Sequence, residues 1–279
     1  RDPKSKKELL AVTVEVEYDE AKKQAKLAQR RKSLEHAARI ASAVDVPMKT
    51  RCRLSTNAAT GILNTAGEMN ATEIVLGLHH KHGMLDSFLG SFAQSILKGT
   101  HRQMMVVKCL MPVNTMRRLM VAVPPKAEFE AGFYKWVERL ARIGGQLGCR
   151  VHFWAHPDTI LRINGYLKKF HGNVRVEFSP MDDWDDLLLM SSKVAYDHLV
   201  VIVSARKGAI SYQSSFEELP TQITKYFSNC SLMLIYPDQL GDPLENLTFS
   251  SPRGQSENPI YDHVSKWVYK WMKKGEEQG

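Results

Sequence analysis

Short apolar, β-branched runs alternate with longer stretches whose apolar residues recur every three or four positions, and this alternation dominates the chain. Residues 9–16 (LLAVTVEV) read as a strand. Residues 20–43 read as a long helix with Leu27, Leu34, Ala38 and Ala41 on one stripe. Pro47 ends the connection to a second strand at 48–54. Ser55, Thr56 and Asn57 then offer capping side chains to a helix carrying Ile62, Leu63 and Ala66. Further strands are predicted at 73–77 and 104–110, with a helix at 90–97 between them. After a connector at 111–116 the order repeats. A strand at 118–123 leads to a helix at 128–146, closed by Gly144, Gly145 and Gly148, and to a strand at 149–155. A helix at 159–170 and a strand at 174–178 follow. Ser179, Pro180 and Asp182 read as an N-cap, a proline in the first helical position and a capping-box acid. Residues 198–203 are apolar almost throughout, the mark of a central parallel strand. A helix at 219–227 and a strand at 232–236 complete the pattern.

Strands alternating with helices predict an α/β fold with parallel sheets. Because the order recurs, two copies of one unit are expected, at residues 1–112 and 117–237. The first copy lacks the leading strand and helix that open the second. This implies that Arg1 lies inside a longer polypeptide. Residues 238–279 read as an irregular tail and a basic helix, in which Val264, Trp267, Val268 and Trp271 form a stripe among lysines. That stripe suits docking on a protein surface better than lying on a membrane.

Composition narrows the function. The 279 residues are 43% hydrophobic, enough for a sizeable core, and no run reaches the ~18 apolar residues of a membrane span. No signal peptide is visible, and Cys52, Cys109, Cys149 and Cys230 form no CxxC pair. Both point to small buried thiols in a reducing, cytoplasmic setting. The net charge of +8 is spread over residues 4–7, 22–32 and 266–274 without the aromatic and glycine pattern of a nucleic-acid reader. Asp182, Asp183, Asp185 and Asp186 suit a helix's first turn better than a catalytic pair. His79, His80 and His82 read as polar loop residues rather than as a zinc site. No arrangement of nucleophile and base is recognisable, so no enzymatic activity is expected.

The candidate chemistry lies where strand 73–77 gives way to the next helix. Gly77 is followed by two residues and His80, then by nine residues and Gly90-Ser91, with Gly83 inside the loop. A glycine permits a sharp turn off the strand. Gly90-Ser91 at a helix N-terminus offers backbone N–H groups, a hydroxyl and the positive end of a dipole to phosphate oxygens.

This unit resembles the universal stress protein family, with its flavodoxin-like parallel α/β fold. Nucleotide-binding members carry Gly, two residues, Gly, nine residues and Gly-Ser or Gly-Thr at this place. The spacing is kept here, and only the second glycine is replaced, by His80. An imidazole there either donates to phosphate, making binding pH-sensitive, or fills the ligand's space. The resemblance implies an adenine nucleotide, ATP or AMP, whose base packs against Val14 and Leu76 and whose phosphates meet Gly77, His80, Gly83, Gly90 and Ser91. In the second copy the matching turn is Ser204-Ala205-Arg206-Lys207-Gly208, and Pro124-Pro125-Lys126 ends its first strand where binders have an acid, so no nucleotide is expected there. A tandem of such units with a truncated start is similar to the cytoplasmic C-terminal region of bacterial monovalent cation:proton (Na+/H+) antiporters. The implied role is regulatory, at the cytoplasmic face of the inner membrane. A membrane transport domain would precede Arg1, and a homodimer is implied. A free-standing nucleotide or stress sensor and a ligand-free dimerisation scaffold remain as alternatives.

Overall fold

The structure, a computed structural model, describes residues 8–16, 20–77 and 91–240. Close contacts divide the chain after Gly241, and the described elements all belong to the compact unit before that point. The described elements follow in order as strand β1 (Leu9–Glu15), helix α1 (Glu20–Ser42), β2 (Met48–Leu54), α2 (Ala58–Glu68), β3 (Glu73–Gly77), α3 (Ser91–Lys98) and β4 (Gln103–Lys108). Then come β5 (Arg118–Ala122), α4 (Phe133–Leu147), β6 (Arg150–Ala155), α5 (Pro157–Phe170), β7 (Val176–Pro180), α6 (Leu187–Ser191), β8 (His198–Val203), α7 (Leu219–Tyr226) and β9 (Ser231–Tyr236). The expected mostly parallel α/β architecture is present.

Seven strands form one sheet in the order β3-β4-β9-β8-β5-β6-β7, while β1 and β2 pair in parallel by themselves. Every pairing is parallel except β4 with β9, which joins the two halves antiparallel, Met104 opposite Tyr236 and Lys108 opposite Leu232. Alternate residues of the sheet face opposite layers. Met120, Ala122, Val200 and Ile202 pack with α2, α3, α6 and α7. Leu119, Val121, Val201 and Ile235 pack with α4 and α5. With helices on both faces, β5, β8 and β9 are buried on both sides beyond their first residue, as their apolar sequences require.

β1 differs. Leu9 donates its N–H to Pro47 and Glu15 accepts from the Ser55 N–H, so the odd positions of β1 face β2. Leu10, Val12 and Val14 therefore turn their backbone groups to the other edge, where no described strand pairs with them. Only Glu15 of this strand is buried, bonded to the Arg30 side chain of α1.

Local chemistry explains the element boundaries. Asn57 caps α2, accepting from the N–H groups of Ala59 (2.8 Å) and Thr60 (3.3 Å). Gly148, at φ +63°, ends α4 in the left-handed region that glycine favours. The expected cap at 179–182 is corrected: Ser179 and Pro180 are the last residues of β7, opposite Trp154 and Ala155, and Met181 is fully buried. The capping box is Asp183 with Asp186 instead, opening a 3-10 turn at Trp184–Asp186. The helix expected over 128–146 is also shorter. A 3-10 turn at Ala127–Phe129 precedes α4, and the backbone of Asp238 packs against Gly132 so closely that a side chain there would clash. Of the four free cysteines only Cys149 is buried, and Cys109 is exposed. Among the described residues no helix is long and apolar enough to cross a membrane.

Candidate functional site

β3 lies at one edge of the seven-stranded sheet, paired with β4 so that Leu76 stands opposite Val106 and Gly77 opposite Val107. Leu76 is half-buried against the cluster that holds Ile74, Ala59 and Ala93. Ser91 opens α3. Its carbonyl is held by the Ser95 hydroxyl at 2.6 Å, and Ala93 and Ile96 anchor the helix in the core, so its exposed N-terminus is fixed from below. The first backbone N–H groups of such a helix have no partner within it. Gly77 keeps an ordinary backbone conformation, and a Cβ there would meet nothing, so neither strain nor crowding within the described residues requires glycine. Val14 comes from the separate β1–β2 pair. It packs on α2, where a Cβ on Gly61 would lie 2.6 Å from it. Helix α2 is thus the shared neighbour of Val14 on one side and of α3 and the core around Leu76 on the other.

His80, Gly83 and Gly90 lie outside the described residues, as do His79, His82, the lysines of 4–7 and the Trp267/Trp271 stripe. Among the described residues no group of three His, Cys, Asp or Glu side chains could hold a metal ion. The described part of the candidate site is therefore the end of β3, the start of α3, and Val14 across α2.

The matching turn after β8 is filled by protein. The Ser204 N–H bonds the Ile235 carbonyl at 2.8 Å, and Gly208 takes φ +88°. Ser211 donates from both N–H and hydroxyl to Glu130, at 2.9 and 2.8 Å. Arg206, 8% exposed, reaches across the molecule to the C-terminal end of α3. Its guanidinium donates to the carbonyls of Leu97 (2.8 Å), Thr100 (2.7 Å) and Arg102 (2.6 Å). Burial lowers its pKa from the usual arginine value, and Asp238 opposes that shift. Where a ligand-binding turn would present free donors, Ser204 and Ser211 bond within the second half and Arg206 bonds the first. Lys135 of α4 adds to the join, bonding the Thr72 carbonyl and the Asp238 carboxylate at 2.9 and 2.7 Å. The sequence reading did not find this join, because it links residues about a hundred positions apart and leaves no local pattern.

Residues 2–108 match the universal stress protein family. No curated protein matches the chain. Among solved structures, a universal stress protein from Archaeoglobus fulgidus DSM 4304 aligns with 82% of this chain and 86% of its own, at 13% identity and a TM-score of 0.54. That likeness is one of fold. A protein from Pseudomonas aeruginosa UCBPP-PA14 provisionally named a universal stress protein aligns with 87% of this chain and 98% of its own, at 15% identity and a TM-score of 0.49. A functionally unknown protein from Pseudomonas aeruginosa PAO1 covers 86% of each chain at 15% identity, with a TM-score of 0.47.

Proposed function

We propose that this chain is the regulatory region of a monovalent cation:proton antiporter, built as two tandem universal stress protein-like units on the cytoplasmic face of the inner membrane. The first unit senses an adenine nucleotide, ATP or AMP. The second is a ligand-free scaffold clamped to the first through Arg206. A membrane transport domain upstream of Arg1 and a second copy of the chain are its partners, and no catalysis is assigned to it.

One observation supports the nucleotide reading above the others. The family match covers residues 2–108, and within it Gly77 and Gly90-Ser91 keep nucleotide-motif spacing between β3 and α3. The antiporter assignment rests on the likeness of the tandem and its basic C-terminal segment to that family's cytoplasmic region.

Thermal unfolding with ATP and with AMP tests the first claim. A ligand at a hundred times its dissociation constant stabilises by about 2.7 kcal/mol. Gly90→Val should abolish the shift. A shift that survives this change places the ligand elsewhere, and the absence of any shift leaves the dimerisation scaffold. The reading frame upstream of Arg1 tests the second claim. A series of apolar segments of span length supports the antiporter. A start codon followed by one strand and one helix identifies a free-standing sensor.

A further inference from the structure

The N-terminal ends of the second-half strands gather arginines. Arg118 stands directly opposite Arg150 on one side and His198 on the other, three strands abreast with side chains on one face. Arg117 precedes this row, and Arg175 lies beside it just before β7. Together they line a cavity of about 300 Å³ with Gly148 and Asp197. Arg117, Gly148 and Arg175 also line a second cavity of about 570 Å³, bordered by Asn114, Thr115, Met116 and Leu147.

The charges do not balance. Glu177 bridges Arg118 (2.9 Å) and Arg150 (2.6 Å). Asp197 approaches Arg117 only to 3.6 Å and His198 to 3.7 Å. Arg175 meets a carbonyl, that of Gly148, at 2.6 Å, and no carboxylate among the described residues. Four guanidiniums thus share two carboxylates, and Arg117 stays 85% exposed. His198 adds a donor. Its Nδ1 accepts from the Ala195 N–H at 3.1 Å, which puts the proton of the neutral ring on Nε2, toward Asp197. Like charges directly opposite on neighbouring strands destabilise a sheet. A sequence that keeps such a row in a concavity breaks a local rule, as functional sites do. The planar forks of arginine match phosphate oxygens in pairs.

We propose that this basin binds the dianionic phosphate of a phosphomonoester, with the organic part lying along Asn114 to Met116 in the adjoining cavity. The site is separate from the turn after β3. Because β4 and β9 run antiparallel, both lie at the same end of the strands, and the basin begins three strands from β3 and extends to six, about 14–29 Å by strand spacing.

Calorimetric titration of the protein with glycerol 3-phosphate tests the proposal, with co-sedimentation on phosphatidylcholine vesicles containing phosphatidic acid as a second arm. Binding in either arm, weakened about tenfold by each of Arg117→Gln and Arg175→Gln, is expected. Lys207→Gln, which removes one exposed charge elsewhere, should leave it unchanged. Binding to the soluble ester identifies a metabolite site, and binding to vesicles alone identifies a lipid headgroup. No binding in either arm, or equal binding by all variants, overturns the proposal. Circular dichroism confirms that the exposed-arginine variants remain folded.

Discussion

The two halves treat similar strands differently. β1 reads LLAVTVE and β5 reads RLMVA, and neither is the more polar at its centre. Yet β1 is mostly half-exposed, whereas four of the five residues of β5 are buried. The difference is what flanks them. β5 lies between β6 and β8 under helices on both faces, while β1 has β2 on one side and no described strand on the other. Burial here is a property of neighbours, and a strand's own sequence states only what it could tolerate. The turns after β3 and β8 make the same contrast. The second half uses its turn for internal bonds to Leu97, Thr100 and Arg102. In the first half, Ser91 at the start of α3 is exposed among the described residues.

The comparison can be broken most sharply in the cores. Phe153→Ala empties a fully buried site in β6 and should cost about 3–5 kcal/mol in denaturant unfolding. Val12→Ala, in half-buried β1, should cost under about 1.5 kcal/mol. Equal losses would mean that the outer edge of β1 is covered. Arg206→Met should cost about 2–3 kcal/mol, because buried carbonyls at the end of α3 lose their donors. A loss near zero would show that the two halves are held together without this clamp. Asn57→Ala should cost about 1 kcal/mol through the uncapped start of α2. Hydrogen exchange should localise that loss to the first half.

The last test uses pH. Burial lowers the pKa of His152 and of His198, with Arg118 adding to both shifts. The unfolded chain therefore takes up these protons first. Stability is full above the ordinary histidine value of 6.5 and falls as pH drops below it toward the folded values. Glu138 adds a further loss at lower pH. Burial opposes its ionisation, but bonds from His171, Arg142 and Tyr166 more than offset this and hold its pKa below the usual 4.5. All three groups lie in the second half, so the fluorescence of Trp136, Trp154 and Trp184 should report acid loosening there first. His152→Gln should flatten the profile between pH 7.5 and 5.5, and an unchanged slope would remove His152 from the account.

Much of this architecture was legible from local pattern. The limits of β2, β3 and β8 coincide with the strands expected at 48–54, 73–77 and 198–203, and Asn57 caps where its side chain and position say it should. The reading went wrong where a residue serves a distant partner. Pro180 has the look of a helix start, but its place opposite Ala155 keeps it in β7. Gly132 looks like a mid-helix residue, but Asp238 packs on its backbone and α4 begins after it. The pairing of β4 with β9 has no signature in either strand. Of the basin, Arg117-Arg118 is visible as a doublet, but only strand order brings Arg150 and Arg175 beside it. For the proposed nucleotide site the motif spacing was legible. The neighbourhood of Val14 was not, because among the described elements it meets the core around Leu76 through α2.

The antiparallel β4–β9 pair also protects each half from the other's hazard. β4 is a run of Met, Met, Val and Val, and β9 is buried at all six positions. Parted, each would present a flat, apolar row of unmet backbone groups, a template for cross-β growth. Joined, each strand blunts the other's edge. Proteolytic nicking at the connector around Asn114 would leave this pairing intact, whereas producing the halves separately should yield two aggregating fragments from one well-behaved chain.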